Sequence, residues 1–208
     1  MQISYFGLSS FKLASKNYTS ITDPFDKSSG LTPPRGNADL LILAEKENPL
    51  YSYTQSISGT PFIVDGPGEY DVKEHAITGI PIKKDGRLIT IYLMEIEGIK
   101  ILNLTHIKKL ELTQDELEDL GEVDILIVPV GNNEVMDYET AAKAANLIEP
   151  KIIIPSHYQT GGLKIPADNL EKFLKEMGGK HENAEKLNIK KKDLTEEAVK
   201  IMVLEPMR

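Results

Sequence analysis

Asp124-Ile-Leu-Ile-Val-Pro-Val130 is an unbroken apolar run behind a single acid. It has the length of a strand and does not alternate, the pattern of a strand buried on both faces. Helical signals flank it. Upstream, Thr113-Gln-Asp-Glu116 is a capping box, which predicts a short helix ending before Gly121. Downstream, Asp137 is placed to cap an alanine-rich helix over 138–148, which Pro150 stops. Lys151-Ile-Ile-Ile-Pro155 repeats the buried-strand pattern. Residues 168–177 predict a third helix, with Leu170, Phe173 and Leu174 on one face and Gly178-Gly179 closing it. Strands alternating with helices predict a sheet covered by helices in this half.

The half before it reads differently. Residues 2–6, 12–14 and 19–22 are short strands, and Asp23-Pro24 breaks the pattern. Residues 26–37 hold Gly30, Pro33, Pro34 and Gly36 and read as a loop. Residues 39–44 (DLLILA) are another strand buried on both faces, whereas 45–58 are polar, contain Pro49 and carry no assignable pattern. A short strand over 60–64 and the turn Gly66-Pro67-Gly68 precede strands at 69–72, 76–80, 88–96 and 100–104. Asp85-Gly86 and Glu97-Gly98 mark hairpins among them. Strands at 187–189 and 199–204 close the chain. No composition shift marks a linker, so residues 1–208 read as one α/β (α+β) domain of two packed sheets with helices outside them. Ala38-Asp-Leu-Leu-Ile-Leu43 echoes Val123-Asp-Ile-Leu-Ile-Val128. Either a duplicated half or a generic buried strand after an acid produces that echo.

Composition narrows the function. The 208 residues carry a net charge of −8, which argues against a general nucleic-acid surface and against anionic membranes. With no cysteine there is no disulfide, thiolate nucleophile or Cys-type zinc site. Neither a secretory leader nor an apolar run near the ~20 residues of a membrane helix stands out, so the expected location is the cytoplasm. G-x-S-x-G, the P-loop and G-x-G-x-x-G are all missing.

Ligands of such sheets gather beyond the carboxyl ends of strands. The polar residues there are Asp23, Glu45 and Glu47, Thr105-His106, Gly131-Asn132-Asn133 and Ser156-His157. Each also has a plain structural role: Asp23 as a turn former before Pro24, His157 as a strand-end cap, and Glu45 and Glu47 as solvated charges beside Lys46. His75 and His181 suggest no role.

The order of these segments resembles the metallo-β-lactamase fold, and most nearly its stand-alone zinc-dependent hydrolase branch, which includes ascorbate-6-phosphate lactonase-like proteins. The resemblance rests on Tyr5-Phe-Gly-Leu-Ser-Ser-Phe11, Ile21-Thr-Asp-Pro-Phe-Asp26, Gly66-Pro-Gly-Glu-Tyr70 with Ile77-Thr-Gly-Ile80, Val128-Pro-Val-Gly131, and Ile154-Pro-Ser-His-Tyr158. It implies a four-layer αββα sandwich of two mixed sheets flanked by helices, with a metal site at one edge.

The departures concern the metal. Where the family carries H-x-H-x-D-H, this chain has Glu45-Lys-Glu47-Asn-Pro49-Leu50. Leu8 stands where the branch usually has histidine. The metal-bridging aspartate would fall near Thr105-His106, where there is no acid, and of the family's histidines His157 alone stays in place. Catalytic zinc needs about three protein ligands and an open position for water. The reading is therefore a family member without the usual dinuclear metal chemistry, expected to hold no metal and to serve as a binding or scaffold protein for a small molecule or a protein. The alternative is a hydrolase of a small ester, lactone or phosphodiester, with Zn or Mn on a rearranged set of His157, His106, Glu45 and Glu47. Asp23, Leu8, Leu50, Glu69 and Asn132 would edge the pocket. The segment 49–53, with one leucine and two tyrosines, would either plug that pocket or form an exposed patch. Oligomeric state stays open.

Overall fold

The structure, a computed structural model, describes residues 1–73, 75–194 and 198–207. Its strands are β1 (Gln2–Gly7), β2 (Ser10–Ala14), β3 (Thr19–Thr22), β4 (Gly36–Asn37), β5 (Leu40–Ile42), β6 (Ile57–Ser58), β7 (Phe62–Val64), β8 (Gly68–Val72), β9 (His75–Lys84), β10 (Arg87–Ile96) and β11 (Ile99–Asn103). Helix α1 (Gln114–Leu120), β12 (Ile125–Pro129), α2 (Tyr138–Ile148), β13 (Ile152–Ser156), α3 (Leu170–Glu176), β14 (Glu182–Ala184), β15 (Lys186–Asn188) and β16 (Lys200–Leu204) follow. The first sheet has the order β15-β1-β2-β3-β5-β7 and the second β14-β16-β13-β12-β11-β10-β9-β8; β4 and β6 pair separately.

The hairpin that Asp85-Gly86 predicts forms. Both turn residues have positive φ, and Lys84 and Arg87 face each other directly across the ladder. Thr113 and Glu116 close the expected capping box on α1, and α2 has the predicted bounds. Strand β5 is shorter than the apolar run 39–44 suggests, and β9 runs on to Lys84, past the predicted end at residue 80. The unassigned stretch 45–58 consists of turns, a 3-10 turn at Thr54–Ser56 and the short β6.

The echo between the halves proves to be one device used twice. The Asp39 N–H donates to Thr19 O at 2.9 Å, and its carboxylate accepts from Thr19 N at 2.9 Å. The Asp124 N–H donates to Lys100 O at 3.0 Å, and its carboxylate accepts from Lys100 N at 2.9 Å. The carbonyl of each aspartate accepts from the residue opening the next parallel strand, Phe62 or Ile152. Each aspartate thus clamps three parallel strands at their amino ends.

Alternation along the first sheet decides the layers. Ile3, Tyr5, Phe11, Leu13, Leu40 and Ile42 join one core with Ile89, Ile91 and Met94 of the second sheet, and that core continues to Ala141, Ala145 and Phe173 of the helices. Among the described residues α1, α2 and α3 all connect strands of the second sheet. On the opposite face of the first sheet, Phe6, Leu8, Ile21 and Leu41 pack against Phe25, Tyr51 and Leu163 from loops. The sandwich is therefore the expected one, with its fourth layer built from loops and 3-10 turns. Among the described residues no helix is long and apolar enough to cross a membrane.

Candidate functional site

The site residues are positioned by turns rather than by strands. Leu8, Asp23, Thr105 and His157, at four strand ends, have φ of 52°, 38°, 53° and 57°. Side chains other than Gly, Asn and Asp rarely occupy this region, and a β-branched threonine least of all, so each must be held there by its surroundings. The Asn103 carboxamide accepts from Thr105 N at 2.9 Å, which turns the chain and sends the His106 ring inward. His157 N donates both to Leu8 O and to the Tyr5 hydroxyl, each at 3.0 Å, tying two strand ends together. Asp23 accepts from Ala44 N at 2.8 Å, and its own N–H donates to Ile42 O.

These turns bring Asp23, Glu45, His106 and His157 to one edge, all buried. His106 Nε2 lies 3.3 Å from Glu45 Oε2, and His106 Nδ1 lies 3.9 Å from Asp23 Oδ2. The hydrogen bond from His106 holds the Glu45 carboxyl down at about 2, with help from Asn48 and Arg87. Glu45 is thus ionised. Burial outweighs the pull of Glu45 on His106 and lowers the imidazole to about 4. Burial, with His106 adding to it, takes His157 to about 3. Both rings are neutral at pH 7, so His106 Nε2–H donates to Glu45 and Nδ1 faces Asp23 as a lone pair. Asp23, also buried, is raised to about 7. At the outer side the Arg87 guanidinium meets Glu45 Oε1 at 2.7 Å. Lys84, buried beside it, donates to His106 O at 2.9 Å.

Tyr51 occupies the interior of this cluster. Its ring stacks on that of His106, with centroids 3.8 Å apart and planes at 10°. Its hydroxyl lies 2.7 Å from His157 Nε2. Asn48 shapes the loop that delivers it: Tyr51 N and Ser52 Oγ both donate to Asn48 O, Leu50 N donates to Asn48 Oδ1, and the Asn48 amide reaches Glu45.

A catalytic zinc takes three or more side-chain ligands at roughly 2.0–2.3 Å. Here His157 is turned to a phenol, His106 is stacked and hydrogen-bonded, and among the described residues no three His, Asp or Glu side chains converge as a metal cage. As they stand, the residues do not fit a metal ion.

The fold and the sequence agree with known proteins. The β-lactamase superfamily domain matches residues 2–157. The chain belongs to that superfamily. A UPF0173 metal-dependent hydrolase of Natranaerobius thermophilus is 30% identical over 171 residues, covering 78% of this chain and 73% of the relative. A solved structure from Thermotoga maritima, assigned as a Zn-dependent hydrolase of the metallo-β-lactamase superfamily, superposes with a TM-score of 0.82 at 30% identity, covering 98% of this chain and 97% of that one. Igni18, a metallo hydrolase of Ignicoccus hospitalis, shares the fold at a TM-score of 0.67 and 14% identity, over 100% and 96% of the two chains. The family is thus one of metal-dependent hydrolases, which the expectation of no metal has to face.

Within this superfamily member the expected residues separate. The structure brings His106, Glu45, His157 and Asp23 together, with Leu8 and the half-buried Leu50 packed beside Tyr51. Glu47 is exposed two residues past Glu45, because the Asn48 turn carries the chain outward, and nothing places it beside either histidine. Glu69 is exposed on β8, paired with Thr78 at the edge of the second sheet, rather than at a pocket rim. Asn132 is exposed and ties its loop to Asp168 through its side chain at 3.4 Å. Of the two roles for 49–53, Tyr51 takes the plug. Arg87, Lys84, Asn48 and Asn103 were not among the sequence candidates. The Asp85-Gly86 turn was the available signal for the first two, since it sets Lys84 opposite Arg87.

Proposed function

We propose that this chain is a metallo-β-lactamase-superfamily protein that works without the family's metal chemistry and has a binding or scaffold role. The observation that carries the reading is Tyr51, whose ring lies against His106 and whose hydroxyl meets His157. The two histidines at the family's metal edge are engaged by the protein itself. Pro49 and Leu50 offer no donor beside them, and Glu45 is committed to Arg87, Asn48 and His106.

A second reading has one observation in its favour: His106 lies within 4 Å of both Asp23 and Glu45. A rearranged hydrolase site for Zn or Mn would start from those three and would need Tyr51 to leave.

Elemental mass spectrometry of chelator-free protein separates the two, before and after incubation with Zn²⁺ or Mn²⁺ and desalting. The first reading expects far less than one metal per chain and no turnover of phosphodiesters, esters or lactones. One metal or more per chain, falling in His157→Ala and accompanied by turnover, would overturn it.

A further inference from the structure

The mismatch between this site and a metal has an internal logic. A buried ionised carboxylate needs a cation, and a cluster of inward-turned donors needs its interior filled, because voids in packed interiors forfeit contact energy. In a metal-dependent relative an ion would meet both needs. Here Glu45 is buried and ionised, and its cation is Arg87 at 2.7 Å. Between His106 and His157 the filler is the Tyr51 phenol, which stacks on one ring and hydrogen-bonds the other.

We infer that Tyr51 and Arg87 are this chain's own replacement for a metal centre, the phenol taking its volume and a donor bond and the guanidinium taking its charge. The inference rests on the metal-free reading above and adds which residues make it possible. The two residues arrive by separate routes. Tyr51 comes on the Asn48-organised loop, which Tyr53 N fastens to Pro24 O at 2.7 Å. Arg87 comes on the β9–β10 hairpin, directly opposite the buried Lys84. Lys84 supports the arrangement by holding the His106 carbonyl, which fixes the turn that aims the imidazole. The replacement is therefore built into two elements whose order requires no ion.

The test is thermal melting of the full chain, with and without EDTA or equimolar Zn²⁺, for the wild type and three variants. The wild type is expected to melt at the same temperature in all conditions. Tyr51→Ala, which empties the space, is expected to lose about 10 °C, in line with large-to-small core changes in a domain of this size. Tyr51→Phe keeps the ring and loses the hydroxyl, so its loss is expected to be about 3 °C. It is also expected to shift the His157 Nε2 resonance in ring-nitrogen NMR. Arg87→Gln leaves Glu45 without its cation and is expected to lose several degrees, even though the arginine is half exposed. If Tyr51→Ala does not fold, Tyr51→Phe and Arg87→Gln still decide.

Melting of all three variants at the wild-type temperature, with the wild type metal-free, would sink the replacement and leave the metal-free reading standing. A wild type that Zn²⁺ stabilises by several degrees, with loss of the Tyr51–His157 signature in the NMR spectrum, would sink both.

Discussion

Gly131 and the carbonyl of His157 approach so closely that a Cβ on Gly131 would lie 1.8 Å from that oxygen. No real pair of atoms tolerates such a separation, and the obstacle is backbone, which cannot swing aside. Gly131→Ala is therefore expected to push the His157 turn outward and to cost about 3 kcal/mol. Urea unfolding measures the cost. Loss of the upfield ring-stacking shifts of Tyr51 and His106 would report the displacement, and a variant as stable as the wild type would contradict the packing.

Thr105 gives the opposite expectation. A β-branched residue at φ 53° is strained, and its hydroxyl is buried without a hydrogen-bond partner. Glycine adopts that conformation freely, although it raises the entropy of the unfolded chain. Thr105→Gly is expected to gain about 1 kcal/mol, the difference between relieved strain and that entropy. Denaturant midpoints at constant m-value would show it.

Acid should weaken the protein through the two site histidines. Their folded values of about 4 and 3 lie below the usual imidazole value, so below about pH 6.5 the unfolded chain binds more protons at these two positions. The stability they contribute is present above that pH and is lost as pH falls through 4 and 3. Asp23, raised to about 7, works in the other direction: the folded state holds its proton, and stability is lost as pH rises toward 7. Between pH 6.5 and 4 these three groups leave about one net proton on the unfolded side, or about 1.4 kcal/mol lost per pH unit. His157→Asn, in which asparagine tolerates the left-handed turn, removes one of the two histidine protons. Its stability should fall less steeply with acid than that of the wild type, by about the same amount per pH unit. Equilibrium unfolding at pH 7, 6 and 5 measures both slopes, and parallel slopes would refute the assignment.

The paired aspartate clamps should differ in weight. Asp39 is partly exposed and its carboxylate accepts from Thr19 N. Asp124 is buried and accepts from Lys100 N, Lys151 Nζ and Lys191 Nζ. Asp39→Ala is expected to cost about 1 kcal/mol. Asp124→Ala should cost about 2–3 kcal/mol, allowing for solvent around Lys191. Equal losses in chemical denaturation would mean that the lysines contribute nothing.

What was legible in the sequence followed local rules. The Thr113–Glu116 box, the bounds of α2 and the Asp85-Gly86 hairpin all depend on neighbours within a few residues, and each formed as read. The strand-end rule listed Asp23, Glu45, His106 and His157, which lie together, and also Glu47 and Asn132, which lie exposed away from them. Residues 45–58 had no periodicity, because their geometry comes from bonds at one residue: the Asn48 side chain accepts from Leu50 N and donates to Glu45, and its carbonyl accepts from Tyr51 N and Ser52 Oγ. That hid both the outward path of Glu47 and the inward path of Tyr51. Arg87 reaches Glu45 across 42 positions of sequence, and only the register of β10 beside the end of β5 brings them together. The strand at 69–72 was legible, but nothing local tells which edge of the sandwich it takes, and Glu69 stands on the outer strand β8 rather than beside His106.

The left-handed turns at Leu8, Asp23, Thr105 and His157 have a consequence for protein engineering. Backbone geometry is the hardest part of a functional site to design, and loops are its least accurate element. In this molecule four strand ends already turn in this way, tied by hydrogen bonds to neighbouring backbone and side chains. A designer who wished to install chemistry there would exchange side chains at Leu8, Leu50 and Tyr51 and leave every loop as it is. The chain is thus a host framework in which any new resident at Tyr51 has to fill the same volume and keep a bond to His157.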